Sequence, residues 1–165
     1  MGKAKKLALC ALLVALALAL SLAERLIPMP LPGMKLGLAN VVTLVALCLL
    51  RKRDTAMILL CRCLLGAIFG GGITGLLFSL TGGFLALGAM VLAKKAGLFS
   101  VCGISVLGAA MHNVGQILAA MVLMRSVYVA AYLSWLLPVA VATGLLTGGL
   151  CSGVLKALPK EGKAL

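Results

Sequence analysis

Long apolar stretches, interrupted by short charged or Gly- and Pro-rich breaks, follow one another along the chain. An apolar helix needs about 20 residues to cross a bilayer, and shorter helices are tolerated when neighbours surround them. The stretches predict six helices, over residues 7–26, 36–50, 55–69, 74–93, 100–124 and 128–155. We therefore expect an all-α membrane protein, a six-helix bundle that forms one transmembrane domain over residues 1–165. Only the glycines at 70–72 mark the turn between the third and fourth helices.

Cationic side chains collect at every second break between these helices. On one side they are Lys3, Lys5, Lys6, Arg51, Lys52, Arg53, Lys94, Lys95, Lys156, Lys160 and Lys163. The opposite breaks hold Arg25, Lys35 and Arg125. Loops on the cytoplasmic side carry an excess of Lys and Arg. Both termini are therefore predicted to be cytoplasmic, in a multi-pass protein of a bacterial-type plasma membrane.

The composition argues against two other classes of protein. Apolar residues make up 64% of the 165 residues, and 15 Lys and Arg stand against 3 Asp and Glu. A soluble domain of this size leaves roughly a third of its chain surface in water, so it cannot hide so much apolar area. Nucleic acid is not an expected partner either, because its binding requires basic residues clustered on one face.

The segment between the first two predicted helices is rich in proline. Pro28, Pro30 and Pro32 are followed by Gly33. Proline fixes φ and removes an amide donor, so the segment is stiff and cannot continue a helix. Because a plain connection needs fewer residues, we interpret it as a lid or cavity wall. A merely rigid connector is the alternative.

Three polar residues near this loop are candidate binding residues. Arg62 lies deep in a predicted span, where an arginine must find an anion, backbone carbonyls or water. It is predicted to contact a ligand; an ion pair, with Glu24 as the candidate partner, and snorkelling to the interface are the alternatives. Asn40 at the start of the second helix either binds the ligand or bonds to backbone. Lys35 adds a cation beside it.

The fifth predicted helix carries three polar side chains within five residues. His112 and Gln116 are four residues apart, and Asn113 and Gln116 are three apart, so all three can share one face. This face predicts a wall of a binding cavity, and a hydrogen-bond network between helices is the alternative. No metal site is expected, because almost no carboxylates or paired thiolates accompany the single histidine.

Small residues recur every four positions in two of the helices. Such spacing lets helix backbones approach closely in lipid. Internal packing is the default interpretation, and docking of a partner helix is the alternative for the alanines. The alanines are Ala11, Ala15, Ala19 and Ala23, and the glycine pairs are Gly144 with Gly148 and Gly149 with Gly153.

Four segments of the sequence resemble one known family. They are LGLANVVTL after the proline-rich loop, CRCLLGAIFGGG, FSLTGG and GISVLGAAMHNVGQILAA. Over about residues 8–153 the chain resembles heptaprenyl diphosphate synthase component I, also called the Gx transporter family. That family is similar to the S-components of energy-coupling factor (ECF) transporters. The resemblance implies six helices with cytoplasmic ends, and a ligand site near the outer face, closed by the loop after the first helix.

The resemblance also implies partners. The alanine-rich first helix, with Ala11, Ala15 and Ala19, resembles the surface that docks the transmembrane coupling subunit, and two cytoplasmic ATPases complete the transporter. We therefore predict a substrate-binding S-component of an ECF-type ABC importer that captures a small anionic or strongly hydrogen-bonding solute. ATP would act on the partners, because this chain has no GxxxxGK[ST] phosphate loop.

The synthase name implies an enzyme, which the residues do not support. Prenyl transfer needs Mg²⁺ held by carboxylates, and Glu24, Asp54 and Glu161 lie in three different regions. We therefore expect a non-catalytic subunit without a cofactor. Two alternatives remain: an accessory membrane subunit of isoprenoid synthesis, and a small oligomeric channel or exporter.

Overall fold

The computed structural model describes residues 2–27, 35 and 37–157 of the chain. The predicted lid residues Pro28, Pro30, Pro32 and Gly33 lie outside these described residues. Within the described ranges every regular element is helical, which confirms the predicted all-α class.

The helical elements follow the apolar stretches of the sequence. The α-helices are α1 (Lys3–Ala23), α2 (Asn40–Leu49), α3 (Lys52–Gly66), α4 (Gly72–Ala96), α5 (Val101–Met124) and α6 (Leu133–Ala157). A 3-10 turn, Glu24–Leu26, extends α1, and a second, Val127–Tyr132, leads into α6. Four helical runs are long and apolar enough to cross a membrane: Lys3–Ala23, Lys52–Ala96, Val101–Met124 and Val127–Ala157.

At the predicted turn between the third and fourth helices, the structure has a sharp kink and not a loop. α3 continues through a π-helical turn, Ala67–Gly71, directly into α4, so that one helical run covers 45 residues. Because α3 and α4 join without a loop, the described residues form five helical runs, and the predicted count of six separate helices is not supported. The glycines nevertheless bend the run sharply, because Gly70 leaves helical geometry with a φ of +95°.

The two arms of this bent run lie side by side. A Cβ built on Gly83 of α4 would lie 2.8 Å from Leu59 Cδ1 of α3. Such proximity of residues far apart along the run requires α4 to fold back along α3. The glycine turn therefore makes a helical hairpin without an intervening loop.

α2 is shorter than the predicted helix over residues 36–50. Gly37 has a φ of +85°, and helical geometry begins only at Asn40 after a turn. Ten residues rise about 15 Å, which is half of the roughly 30 Å hydrocarbon core. α2 contacts each of the other five α-helices, and Leu44 and Leu47 are fully buried. Protein therefore surrounds α2 and shields it from lipid.

Glycines bring α5 close to its neighbours α4 and α6. A Cβ on Gly144 of α6 would lie 2.6 Å from Val106 Cα, and one on Gly148 would lie 2.7 Å from Cys102 Cα. Among the described residues outside the local turn of α6, no atom lies within 4 Å of a Cβ built on Gly149 or Gly153. Internal packing therefore explains the first glycine pair of α6 and not the second.

α1 turns its alanines away from the bundle. Ala11, Ala15 and Ala19 are exposed, whereas Leu13 and Ala17 are buried against the other helices. An open apolar groove of about 740 Å³ runs between α1 and α3, and Ala11 and Ala15 are among the residues that line it. Internal packing within the described chain thus does not account for the alanine stripe.

Candidate functional site

The two ends of the bundle carry different polar residues. We call the end where α1 finishes and α2 begins the loop end, and the opposite end, with Arg51–Arg53, Lys94 and Lys95, the cation end. Toward the loop end, eight polar side chains are buried between the helices, and we call them the polar cluster. Its members are Ser21, Glu24, Lys35, Asn40, Arg62, Ser79, His112 and Gln116.

A small cavity lies within the polar cluster. Its lining includes Glu24, Lys35, Arg62, Ser79 and His112. The volume of this cavity is about 10 Å³, which is close to the space that one water molecule needs. The structure thus has the site closed, and a ligand larger than water requires the loop end to open.

Arg62 reaches the cavity from α3 and is only 5% exposed. Its Nη2 donates to Asn40 Oδ1 at 3.3 Å. Gly83 of α4 lies beside the guanidinium, since a Cβ there would be in ordinary contact with Nη2 at 3.5 Å. Arg62 Nε and Asn40 Nδ2 are buried donors without a hydrogen-bond partner in the described structure. These two donors are available to an incoming acceptor.

His112 of α5 fills the space next to two glycines. A Cβ on Gly82 would lie 2.9 Å from His112 Nδ1, and one on Gly37 would lie 3.1 Å from His112 Cδ2. His112 Nε2 lies 2.7 Å from Gln116 Nε2. Because an amide nitrogen can only donate, His112 Nε2 accepts this bond and the ring proton belongs on Nδ1.

Gln116 attaches the chain after the proline-rich loop to α5. The Lys35 backbone N–H donates to Gln116 Oε1, and Gln116 Nε2 donates to the Lys35 carbonyl, both at 3.1 Å. The Lys35 ammonium also donates to Ser79 Oγ of α4, at 3.1 Å. Gln116 thus acts as a clamp on backbone, a role that the sequence did not suggest.

Glu24 attaches the same segment to the end of α1. Its Oε1 accepts a hydrogen bond from the Leu38 N–H, just before α2 begins. The carboxylate also faces the positive end of the α2 dipole, where an anion is favoured. Although Glu24 and Arg62 line one cavity, their hydrogen bonds in the described structure go to Leu38 and Asn40 and not to each other.

Asn113 points to a different part of the structure. Its Nδ2 donates to the Leu136 carbonyl of α6 at 2.9 Å, and it does not line the cavity. Adjacent helix positions do not face the same way, which separates Asn113 from His112. The expected single face of three polar residues is thus wrong for Asn113, which connects α5 to α6.

The structure also brings in residues that the site prediction omitted. Ser79 and Ser21 contribute hydroxyls from α4 and α1, and Glu24 contributes the carboxylate. Of these residues, Ser79 could have been predicted from the sequence, because it belongs to the FSLTGG segment. It lies three residues before Gly82 and on the same face of α4. Ser21 has no such signal, since a serine in an apolar helix is common.

These features define the class of protein. It is an all-helical membrane protein with several apolar helices of membrane-spanning length and a closed polar cluster between them. The family model for heptaprenyl diphosphate synthase component I matches residues 13–154. The chain belongs to this family, as its sequence motifs indicated. No curated protein and no solved structure matches the chain.

Proposed function

We propose that this protein is the substrate-binding S-component of an ECF-type ABC importer, and that the polar cluster captures a small anionic solute. The observation that supports the proposal most strongly is a buried, positively charged cluster with unpartnered donors inside an otherwise apolar bundle. Six polar residues of this cluster are buried at 8% exposure or less on four different helices and the adjoining chain: Glu24, Lys35, Asn40, Arg62, Ser79 and His112.

The charge balance of the cluster favours an anion. Lys35 and Arg62 contribute two positive charges and Glu24 one negative charge, all buried. Burying an unbalanced charge costs several kcal/mol, so a ligand with one negative charge would lower the free energy of the closed state. The free donors on Arg62 and Asn40 would then supply hydrogen bonds to its oxygens.

Access to the cluster depends on two attachments of the chain after the proline-rich loop. Gln116 binds the backbone of Lys35, and Glu24 binds the N–H of Leu38. One residue of each attachment, Lys35 or Glu24, lines the cavity. Their release would let the segment before α2 move away and open the site, in keeping with the proposed role of Pro28, Pro30, Pro32 and Gly33 as a lid.

The proposed topology has six spans with both termini in the cytoplasm. The α3–α4 hairpin supplies two spans, because its arms lie side by side, and α2 crosses within the protein. Arg51–Arg53, Lys94 and Lys95 then lie on the cytoplasmic side, as the distribution of positive charge requires. The polar cluster opens to the outer side.

The exposed face of α1 suits the proposed partner. Ala11, Ala15 and Ala19 present a flat surface, and small residues allow close helix contact in lipid. We propose that a transmembrane coupling subunit packs here and that two cytoplasmic ATPases supply the energy. The chain itself would be non-catalytic, since carboxylates that could hold Mg²⁺ do not cluster in its sequence.

Capture of partners and of solute tests this proposal. The tagged protein is purified gently from its own cells and analysed by native mass spectrometry. We expect co-purification of a membrane subunit and two ATPases, together with a retained small anion. Purification with a soluble prenyltransferase and without ATPases would contradict the proposal.

The sign of the ligand charge is tested with Glu24→Gln. The amide keeps an oxygen that can accept from Leu38 but raises the net charge of the cluster by one. An anionic solute should therefore bind more tightly to Glu24→Gln than to the wild type, as measured by isothermal titration with the solute identified above. Weaker binding would show that the cluster selects a cation or a neutral molecule.

An accessory role in isoprenoid synthesis is the second candidate, and one observation favours it. The apolar groove between α1 and α3 has Lys3, Lys6 and Asp54 at one end, so its apolar walls suit a prenyl chain and its lysines would contact the diphosphate. Co-purification distinguishes this accessory role from the role in an importer. The accessory role predicts that a soluble prenyltransferase co-purifies with the protein.

A further inference from the structure

The cation end contains a second depression, which the proposed transport function does not use. Its open volume is about 640 Å³. The apolar part of its lining consists of Leu47, Leu50 and Val91. Its other lining residues are all cationic: Arg51, Lys52, Arg53, Lys94 and Lys95.

The cations converge from two separate parts of the chain. Arg51 precedes α3 and Lys52 and Arg53 begin it, whereas Lys94 and Lys95 lie in the last turn of α4. The hairpin of α3 and α4 brings the two groups together around one depression. Lys94 is held in place, because its Nζ donates to the Leu47 carbonyl at 2.7 Å.

A helix N-terminus adds to the positive potential of this depression. α3 starts at Lys52, and its N-cap residue, Arg51, provides no side-chain cap. The first amides of a helix lack partners within the helix, and they attract anions together with the helix dipole. The nearby carboxylate of Asp54 pairs instead with Lys6 of α1, at 2.7 Å. Among the described residues, no acidic side chain lines the depression itself.

We infer that this depression binds the phosphate group of an anionic phospholipid. The phosphate would contact the cations and the start of α3, while an acyl chain would lie on Leu50 and Val91. A soluble phosphate would use the cations but not the apolar side. A phospholipid accounts for both parts of the surface, and basic pockets between membrane helices are suited to such head groups.

The experiment uses the full chain in vesicles made of equal parts of phosphatidylglycerol and phosphatidylcholine, followed by native mass spectrometry of retained lipids. We expect retention of phosphatidylglycerol over phosphatidylcholine. The variant Arg51→Gln with Lys95→Gln should weaken this retention, by roughly fivefold for each cation removed. Both side chains are exposed, and a thermal unfolding curve confirms that the variant is folded.

The matched control is Lys5→Gln with Lys156→Gln, which also removes two exposed cations but leaves the depression intact. It should retain phosphatidylglycerol as the wild type does. Equal losses in the two double variants would overturn the inference, because the effect would then be general surface charge. Displacement of the lipid by an equal concentration of inorganic phosphate would overturn it as well. Solute capture by the polar cluster is unaffected in either case.

Discussion

The loop end and the cation end of this bundle treat charged residues in opposite ways. At the loop end Glu24, Lys35 and Arg62 are 2%, 8% and 5% exposed, and each is tied to neighbouring groups. At the cation end Arg51–Arg53, Lys94 and Lys95 are all exposed. The many charges at the cation end therefore remain solvated, while the few at the loop end are removed from water.

This difference teaches that the number of charges is a poor guide to their importance. A buried charge costs several kcal/mol unless other groups compensate it, whereas an exposed charge keeps its hydration. Substitutions at the loop end should thus have large effects on binding and folding. Substitutions at the cation end should be nearly silent for solute binding.

Removal of Arg62 is the strongest test of this comparison. Arg62→Ala deletes the guanidinium that carries a free donor in the polar cluster, and loss of a buried charged contact costs about 2–5 kcal/mol of binding free energy. We expect no measurable solute binding by isothermal titration, in a protein that still elutes as a folded species in detergent. Lys95→Gln is the control at the cation end and should bind solute normally. Unchanged binding by Arg62→Ala would make Arg62 a structural residue.

The next largest effect is expected at Gly115 of α5. Its Cβ would lie 2.7 Å from both Gly82 Cα and the Thr81 carbonyl oxygen of α4. Backbone atoms cannot avoid the added methyl by a rotamer change. Gly115→Ala should therefore push α4 and α5 apart and lower the free energy of unfolding by roughly 1–3 kcal/mol.

Thermal unfolding in detergent measures this effect. Gly149→Ala provides the control, since none of the other described elements lies within 4 Å of the added methyl, and its unfolding midpoint should match the wild type. Equal midpoints for the two variants would show that the α4–α5 contact is looser than the structure has it. Separation of α4 from α5 in Gly115→Ala should also weaken solute binding, because Gly82 of α4 packs against the ring of His112.

The sequence alone predicted part of this picture, because hydropathy and charge are local properties. The apolar runs gave the helices to within a few residues, and Arg62 and His112 were recognised because a polar group inside an apolar run is costly. The glycines predicted the turn between α3 and α4, but not that the two helices join without a loop, because a kinked helical turn and a loop can have the same glycine-rich sequence.

The partners of each side chain were harder to predict. Gln116 was expected to face a ligand, yet it clamps the Lys35 backbone, and this contact joins residues 81 positions apart. Asn113 likewise bonds to a residue distant in sequence, the Leu136 carbonyl of α6. Sequence periodicity gives the face of a helix, but it does not identify the element that packs on that face.

The clamp itself gives an intermediate effect. Gln116→Leu removes two hydrogen bonds to Lys35, each worth about 1 kcal/mol, so the segment before α2 should open more often. We expect faster solute release and faster amide hydrogen exchange at Lys35 and Leu38. Asn113→Leu is the matched control, because it loosens the contact with α6 and leaves the clamp intact. Equal exchange in both variants would argue against a gating role for Gln116.

The smallest effect is expected for the ion pair between Lys6 and Asp54 at the cation end. The two side chains are 39% and 19% exposed, and their charged atoms lie 2.7 Å apart. Solvent and salt screen such a pair, and ordering two flexible side chains offsets most of its attraction. Asp54→Asn should therefore barely shift the unfolding midpoint at low salt, and the shift should vanish at high salt. Lys6→Gln should behave in the same way. A loss of stability comparable to that of Gly115→Ala would mean that the cation end, too, depends on a specific pairing of charges.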